Sequence, residues 1–221
     1  MCGRYALHSN PEVVALQFGL AFPPGFAARY NIPPGSTLLV VKISREEKPV
    51  ADSCRWGLIP AWAKDPAIGN KLANARGETV AEKPAFRNAF RRGRCLVPAS
   101  GFYEWKTAAG RKHPWYLRPK DAALFGLAGI TELWNGPEGP VRTAALITTE
   151  ANELMRPIHD RMPVIIEPGD YAAWLDAGND NPKALLRPYA DSRMEAYPVT
   201  LRVNTPANDD ASLVERLDSR A

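Results

Sequence analysis

The residue at position 2 carries the most distinctive chemistry in this sequence. The chain opens Met1-Cys2-Gly3-Arg4-Tyr5, and removal of Met1 would leave Cys2 with an amine and a thiol on adjacent carbons. An α-amine titrates near pH ~7.7 to 8.0 and a cysteine thiol near ~8.5, so both are partly nucleophilic at neutral pH. Such an amine attacks an aldehyde to give an imine, which the thiol then closes into a thiazolidine. The alternative is that Cys2 is an incidental small residue and Met1 is retained.

An amide, a guanidinium and a carboxylate fall within five residues at Asn74-Ala75-Arg76-Gly77-Glu78. The planar side chain of Arg76 suits a phosphate, because it donates two parallel hydrogen bonds and stays charged. The simpler explanation of this stretch is an internal pair between Arg76 and Glu78.

A carboxylate stands among aromatic residues at Gly101-Phe102-Tyr103-Glu104-Trp105. If Glu104 is buried, desolvation raises its pKa and allows it to act as a general acid near neutral pH. The alternative is a glutamate that faces water, which is the commoner position for this residue.

The sequence holds three histidines, and one of them is next to both an acid and a base, in His159-Asp160-Arg161. A lone histidine more often packs or lies at the surface than takes part in catalysis. Because its ordinary pKa is ~6.5, His159 is nevertheless the leading candidate for moving a proton if a site exists.

Composition sets limits on the other function classes. The formal charge of +4 permits nucleic-acid binding without requiring it. Four arginines crowd one segment (Arg87, Arg91, Arg92 and Arg94), and a solvated helix face is the simplest explanation for them. Three cysteines without C-x-x-C spacing argue against a disulfide framework and a cysteine-built zinc site, and we expect no metal or cofactor. Without a long apolar run or a leader, the sequence predicts a cytoplasmic protein with no membrane partner.

The pattern of strands and turns predicts a single α+β domain with a mainly antiparallel, barrel-like β core and peripheral helices. Strands are predicted at 2–8, 37–43, 52–59, 95–97, 102–106, 114–117, 123–130, 142–148 and 194–203, the central ones as an antiparallel meander. Helices are predicted from a capping motif at Ser9-Asn10-Pro11-Glu12 through Phe18, and at 84–92, 151–156, 168–177 and 182–189. Residues 60–83 are predicted as a functional loop, and residues from about 210 as a tail.

Seven short motifs in order resemble one known family, the SOS response-associated peptidase-like (SRAP) or abasic-site processing proteins. They are Met1-Cys2-Gly3-Arg4-Tyr5, Trp56-Gly57-Leu58-Ile59-Pro60, Asn74-Ala75-Arg76-Gly77-Glu78-Thr79, Arg94-Cys95-Leu96-Val97-Pro98, Gly101-Phe102-Tyr103-Glu104-Trp105, Ile158-His159-Asp160-Arg161-Met162-Pro163 and Val203-Asn204. The resemblance covers nearly the whole chain. Gly77 departs from the family pattern, which more often has another small residue there.

The resemblance implies a protein that binds single-stranded DNA at an abasic site, including one at a junction with duplex, and crosslinks to it. Cys2 would supply the amine and thiol, and Asn74 would orient the sugar or the cysteine. Glu104 would pass protons, and His159 would assist the imine step or also reversal of the crosslink. Arg4, Arg76 and Arg161 would hold phosphates, and Trp62 would support neighbouring bases. The implied protein acts as a monomer without a cofactor in the DNA damage response, associated with the nucleoid when bound.

Two other function classes remain open. In a peptidase, Cys2 would act as the nucleophile with His159 as its base, and removal of Met1 would be self-processing. In a non-covalent binding module, Cys2 would be idle, and arginines and aromatic residues would hold a single strand.

Overall fold

A computed structural model describes residues 3–217 of the chain, and within that range most of the regular structure is β. Its strands are β1 (Tyr5–Leu7), β2 (Arg29–Ile32), β3 (Thr37–Ile43), β4 (Pro49–Trp56), β5 (Asn74–Arg76), β6 (Arg94–Ala99), β7 (Gly101–Ala108), β8 (Arg111–Pro119), β9 (Phe125–Gly136), β10 (Gly139–Glu150), β11 (Arg161–Pro163), β12 (Ile165–Ile166) and β13 (Met194–Pro198). The α-helices are α1 (Pro11–Phe18), α2 (Arg87–Arg92) and α3 (Tyr171–Leu175). Short 3-10 helices cover Pro66–Lys71, Pro168–Asp170, Pro182–Leu185, Asp191–Arg193, Leu201–Asn204 and Ala211–Val214.

Five strands close into a barrel, as the sequence predicts. They run in the order β10-β4-β3-β6-β9, and β9 pairs again with β10 to complete the ring. Its pairs are antiparallel except for β4 with β10, where Arg55 lies opposite Thr143. Alternate residues such as Leu38 and Val40 are fully buried, because successive side chains of a strand point to opposite faces. The barrel is the rigid body against which the remaining strands pack.

A second sheet carries the beginning of the described chain and Glu104. Its order is β13-β8-β7-β1-β2, so β1 lies between β7 and β2. Tyr5 pairs with Phe102, and the carbonyl oxygen of Arg4 accepts a hydrogen bond from Tyr103 N at 2.9 Å. The residues just before β1 therefore lie beside the strand segment that contains Glu104.

The far end of β10 holds two short strands that sequence analysis did not separate from loops. β5 pairs in parallel with one edge, with Leu146 opposite Asn74, and β11 pairs antiparallel, with Glu150 opposite Arg161. Between β10 and β11 the chain makes turns that end in a backbone bond from Ala151 N to Asp160 O. This arrangement fixes His159 two residues before the start of β11.

Several predicted elements are wrong in detail. Residues 151–156 form turns rather than a helix, because the buried side chain of Asn152 accepts from Met155 N and donates to Tyr189 O. The predicted helix at 182–189 stops after Leu185, and the strand predicted to Val203 ends at Pro198. The predicted meander is wrong, because β7 and β8 pair in the second sheet, whereas β6, β9 and β10 belong to the barrel. Leu213 is fully buried, so packing continues past position 210.

α1 begins within the predicted capping motif, but Ser9 does not cap it, because its hydroxyl contacts that of Ser100. Asn10 is the N-cap, its side chain accepts from Glu12 N, and Pro11 occupies the first turn. The helix ends at Gly19, whose φ of 66° is left-handed and therefore favours glycine. No helix between residues 3 and 217 is long and apolar enough to cross a membrane.

Gly101 should be sensitive to substitution. A Cβ there would lie 2.1 Å from Tyr116 Cζ, and Tyr116 is 1% exposed, so its ring has nowhere to move. We expect Gly101→Ala to lower the free energy of unfolding by ~2 to 3 kcal/mol through overpacking. Denaturant unfolding measures this. Gly25→Ala is the matched control, because nothing lies within 4 Å of its added Cβ; equal stability of the two variants would contradict the packing described.

Candidate active site

A cavity of about 350 Å³ brings together residues from distant parts of the sequence. Its lining combines a carboxylate, an imidazole, cations, an amide and an aromatic ring: Gly3, Arg4, Glu104, Trp105, Lys112, His159 and Asn204. Three of the residues predicted for the site, Arg4, Glu104 and His159, are therefore close neighbours. Cys2 lies outside the described residues, but Gly3, which follows it in the chain, is part of the lining.

Glu104 is a buried acid. It lies on β7 opposite Trp115, and it is only 3% exposed, so a water-facing glutamate is the wrong alternative. Burial raises the pKa of Glu104 to about 7. The carboxyl group is therefore divided between its protonated and charged forms at neutral pH and can either donate or accept a proton.

His159 is suited to accept a proton at the same cavity. Its Nδ1 accepts a hydrogen bond from Arg161 N at 3.0 Å. Burial lowers the pKa of His159, and the nearby ammonium group of Lys112 acts in the same direction. Asp160, 2.9 Å from Nδ1, opposes this effect, but its side chain is 86% exposed and well solvated. The imidazole is therefore neutral at pH 7.

Arg4 lines the cavity and also hydrogen-bonds to other parts of the protein. Its Nη1 donates to Asn31 Oδ1 at 2.6 Å and to Val203 O at 2.8 Å. Its guanidinium lies 5.8 Å from the ring centre of Trp105, and Trp105 Nε1 donates to Asn204 Oδ1 at 2.7 Å. Arg4 therefore shapes one wall of the cavity and joins β1 to the C-terminal segment.

Asn31 anchors this wall. It is fully buried, and its Nδ2 donates to the carbonyl oxygens of Val203, Thr205 and Asn208. Sequence analysis assigned no role to Asn31, because the carbonyl groups that it binds are more than 170 residues away.

Arg161 is paired with Glu78. Two of its nitrogens donate to the two carboxylate oxygens at 2.7 and 2.9 Å, and Nη2 also donates to Thr148 O at 2.8 Å. The guanidinium lowers the pKa of Glu78. Glu78 therefore has Arg161 as its partner and not the sequence neighbour Arg76, which is exposed on β5. Arg76 is therefore more readily available to a phosphate than Arg161 is.

The other predicted site residues do not line the 350 Å³ cavity as the described part of the chain forms it. Asn74 is half-buried at the start of β5. Trp62 is 61% exposed, and its Nε1 lies 3.4 Å from Pro84 O. The loop predicted at 60–83 contains Trp62 but also a 3-10 helix and β5.

Lys112 is the cavity residue that sequence analysis missed, because one lysine in a strand has no distinctive pattern. Asn204 was noticed only as part of the final motif. Among residues 3–217, no group of three or more histidine, cysteine or acidic residues could hold a metal ion.

Comparison with known proteins decides the family. The model of the family described as SOS response associated peptidase (SRAP) matches residues 1–206. The chain belongs to the SRAP family. It is 43% identical to abasic site processing protein YoqW of Bacillus subtilis, over 97% of this chain and 99% of that protein. It is 30% identical to abasic site processing protein HMCES of Xenopus tropicalis, over 95% of this chain and 76% of that protein.

The SRAP fold is also found in solved structures. The crystal structure of a protein from Bacteroides thetaiotaomicron matches with a TM-score of 0.87 and 27% identity, covering 98% of this chain and all of that one. A protein from Bordetella bronchiseptica matches with a TM-score of 0.81 and 28% identity, over 90% of this chain. The predicted family and the predicted barrel-like fold are therefore confirmed.

The protonation of His159 can be measured directly. We expect its imidazole to titrate below the ordinary value of ~6.5, because burial disfavours the charged ring. Lys112→Ala should move the midpoint upward, since it removes a neighbouring positive charge, whereas Lys120→Ala, outside the cavity, should not. NMR titration of the ring protons gives both values. A midpoint at or above ~6.5 in the unsubstituted protein would show that the ring is not desolvated as described.

Proposed function

We propose that this SRAP protein captures abasic sites in single-stranded DNA by forming a covalent bond through Cys2. The names of the relatives support abasic sites as the target. The observation that supports the chemistry most directly is the shared cavity of Gly3, Glu104 and His159. Because consecutive Cα atoms are only about 3.8 Å apart, we place the amine and thiol of Cys2 at this cavity once Met1 is removed.

The reaction joins the aminothiol to the aldehyde of the ring-opened abasic sugar. The amine nitrogen of Cys2 attacks the aldehyde carbon, and the carbonyl oxygen leaves as water, which produces an imine. The thiol sulfur then adds to the imine carbon while its proton passes to the nitrogen, closing a thiazolidine. One water is released overall, and no oxidant or reductant is needed.

The buried acid and the neutral imidazole have separate tasks in this sequence. Protonated Glu104 donates to the oxygen that leaves, first during opening of the sugar ring and then during imine formation. Neutral His159 takes the proton that the amine nitrogen releases. Asn74 orients the sugar or Cys2 from β5. Burial raises the pKa of Glu104 to about 7, so its acid form is populated near neutral pH, and it lowers the pKa of His159, so that ring is neutral there.

The strand itself is held by cations and by an aromatic ring. Exposed Arg76 contacts a phosphate directly, and Arg161 does so while it shares or exchanges the carboxylate of Glu78. Arg4 contributes from the cavity wall. The exposed face of Trp62 offers a stacking surface for a base beside the lesion, worth about 1 to 3 kcal/mol for any sequence.

A denaturing gel separates this proposal from its alternatives. The protein is incubated with single strands that carry an abasic site, a tetrahydrofuran analogue without an aldehyde, or no lesion. We expect a heat-stable shifted band with the abasic strand alone. Binding to all three without a stable band would favour the non-covalent module. Cleavage of a peptide substrate without any adduct would favour the peptidase.

A further inference from the structure

A second positively charged cavity shares no residue with the active-site cavity. It has a volume of about 940 Å³ and lies between α2, α3 and the end of β3. Its charged lining consists of five cations and two acids: Lys42, Arg45, Arg91, Arg92 and Arg94, with Glu47 and Asp176. The arginine cluster that the sequence pattern assigned to a solvated helix face therefore borders a concave surface.

A smaller cavity of about 260 Å³ continues this surface. It shares Lys42 and Arg92 with the larger one and adds Arg142, with Glu132 as its acid. We call the two cavities together the basic groove. Since the formal charge of the whole chain is only +4, the basic groove concentrates much of the positive excess in one place.

Three of the arginines are available to a ligand. Arg45, Arg91 and Arg92 are exposed, and none of them has an ion pair or a side-chain hydrogen bond to another residue in the range 3–217. In contrast, Lys42 and Arg142 both pair with Asp52, on the neighbouring strand. Adjacent like charges without counter-charges repel each other, and a bound polyanion would remove that repulsion.

Arg94 forms the floor of the groove. It is 7% exposed, and its guanidinium donates to three backbone carbonyl oxygens, those of Phe90, Trp174 and Asp176. Its planar group also lies over the rings of Phe90 and Trp174, at 5.8 and 5.7 Å. Arg94 is thus fixed by uncharged partners, and its positive charge adds to the potential of the groove.

We propose that the basic groove binds the phosphodiester backbone of the DNA strand at a distance from the lesion. This inference rests on the proposed function, which supplies DNA as the partner. The available cations are exposed arginines. Such groups suit a long anion that makes several weak contacts better than a single buried phosphate, because repeated phosphate contacts add up along a strand.

The length of DNA needed to reach the groove follows from the size of the protein. A chain of this length folds to a body roughly 40 Å across, and a stacked strand advances ~3.4 Å per nucleotide. A strand of about 7 nucleotides with a central lesion extends only ~10 Å on each side, too short to reach a separate surface. A strand of about 40 nucleotides can cover both the active site and the basic groove.

The test compares two double variants with equal charge change. Arg91→Ala/Arg92→Ala removes two unpaired cations from the groove, and Lys120→Ala/Arg216→Ala removes two cations beside the second sheet, where Lys120 follows β8 and Arg216 pairs with Glu195 on β13. Affinity is measured with tetrahydrofuran strands of both lengths, which bind without reacting. We expect roughly tenfold weaker binding of the long strand by the groove variant alone, and a salt dependence shallower by about 1.4 for two lost phosphate contacts. Binding of the short strand should not change.

Three results would overturn the inference. The first is unchanged binding of the long strand by the groove variant, and the second is an equal loss in the control variant, which would indicate a general charge effect. The third is an equal loss with both strands, which would place the arginines at the lesion itself. Crosslinking to a short abasic strand is measured separately. If the unsubstituted protein forms no crosslink, the proposed function is contradicted, independently of any DNA binding by the basic groove.

Discussion

Cys2→Ala should eliminate the heat-stable adduct with abasic DNA while leaving DNA binding intact. Alanine keeps the N-terminal amine, so the variant can still form an imine, but it has no sulfur with which to close the ring. An imine returns to amine and aldehyde in water, and therefore the adduct should not survive denaturation. We expect a loss of at least ~10²-fold in stable adduct, the scale of removing a covalent nucleophile.

Trapping experiments make this prediction specific. Borohydride reduces an imine to a stable amine, so the Cys2→Ala adduct should reappear when borohydride is present. Cys54→Ala is the matched control: Cys54 is 2% exposed, and burial raises the pKa of its thiol to about 12, so it should not react. A stable adduct in Cys2→Ala without borohydride would mean that another residue carries the bond.

Glu104→Gln should slow adduct formation by about 10²-fold or more at pH 7, because it removes the proton donor but keeps the shape of the side chain. The pH profile provides the sharper evidence. The rate of the unsubstituted protein should fall as pH rises through about 7, where Glu104 loses its proton. The Gln variant should lack that inflection. A profile shared by both proteins would show that Glu104 does not donate the proton.

The same substitution should stabilise the fold at alkaline pH. The pKa of Glu104 is about 7 in the folded protein and ~4.3 in an unfolded chain. The burial of Glu104 therefore costs the folded state nothing below pH ~4.3, an increasing amount between the two pKa values, and about 4 kcal/mol above pH 7.

Denaturant unfolding at pH 5 and pH 8 measures this effect. The advantage of Glu104→Gln should be clearly larger at pH 8. Glu153→Gln, at a side chain that is 71% exposed, should show no such difference. An advantage of Glu104→Gln that is the same at both values of pH would contradict a buried, neutral carboxyl group.

Local sequence signals predicted the parts of the fold that depend on neighbouring residues. The cap at Asn10 and the barrel strand at Thr37–Ile43 both follow from residue type and spacing. The turns at 151–156 depend on the contact of Asn152 with Tyr189, and the division of consecutive strands between two sheets depends on strand pairs far apart in the sequence. Such long-range bonds leave no periodic pattern in the sequence.

Individual site residues could be predicted from the sequence, but their arrangement around one cavity could not. Glu104 and His159 were singled out from their chemical surroundings, whereas their common cavity depends on β1, β7 and the segment before β11. The partner of Glu78 was also unpredictable, because Arg161 is 83 residues away and Arg76 is two. Lys112 and Asn31 were missed because the role of each depends on groups that lie far away in the sequence.

The mass and location of the adduct test the central claim most directly. Intact mass spectrometry of the protein after reaction with an abasic strand should give the mass of the chain without Met1, plus the DNA, minus one water. Peptide mapping should place the bond on the N-terminal cysteine. A bond located on a lysine such as Lys112, or a chain that retains Met1 in the adduct, would contradict the account.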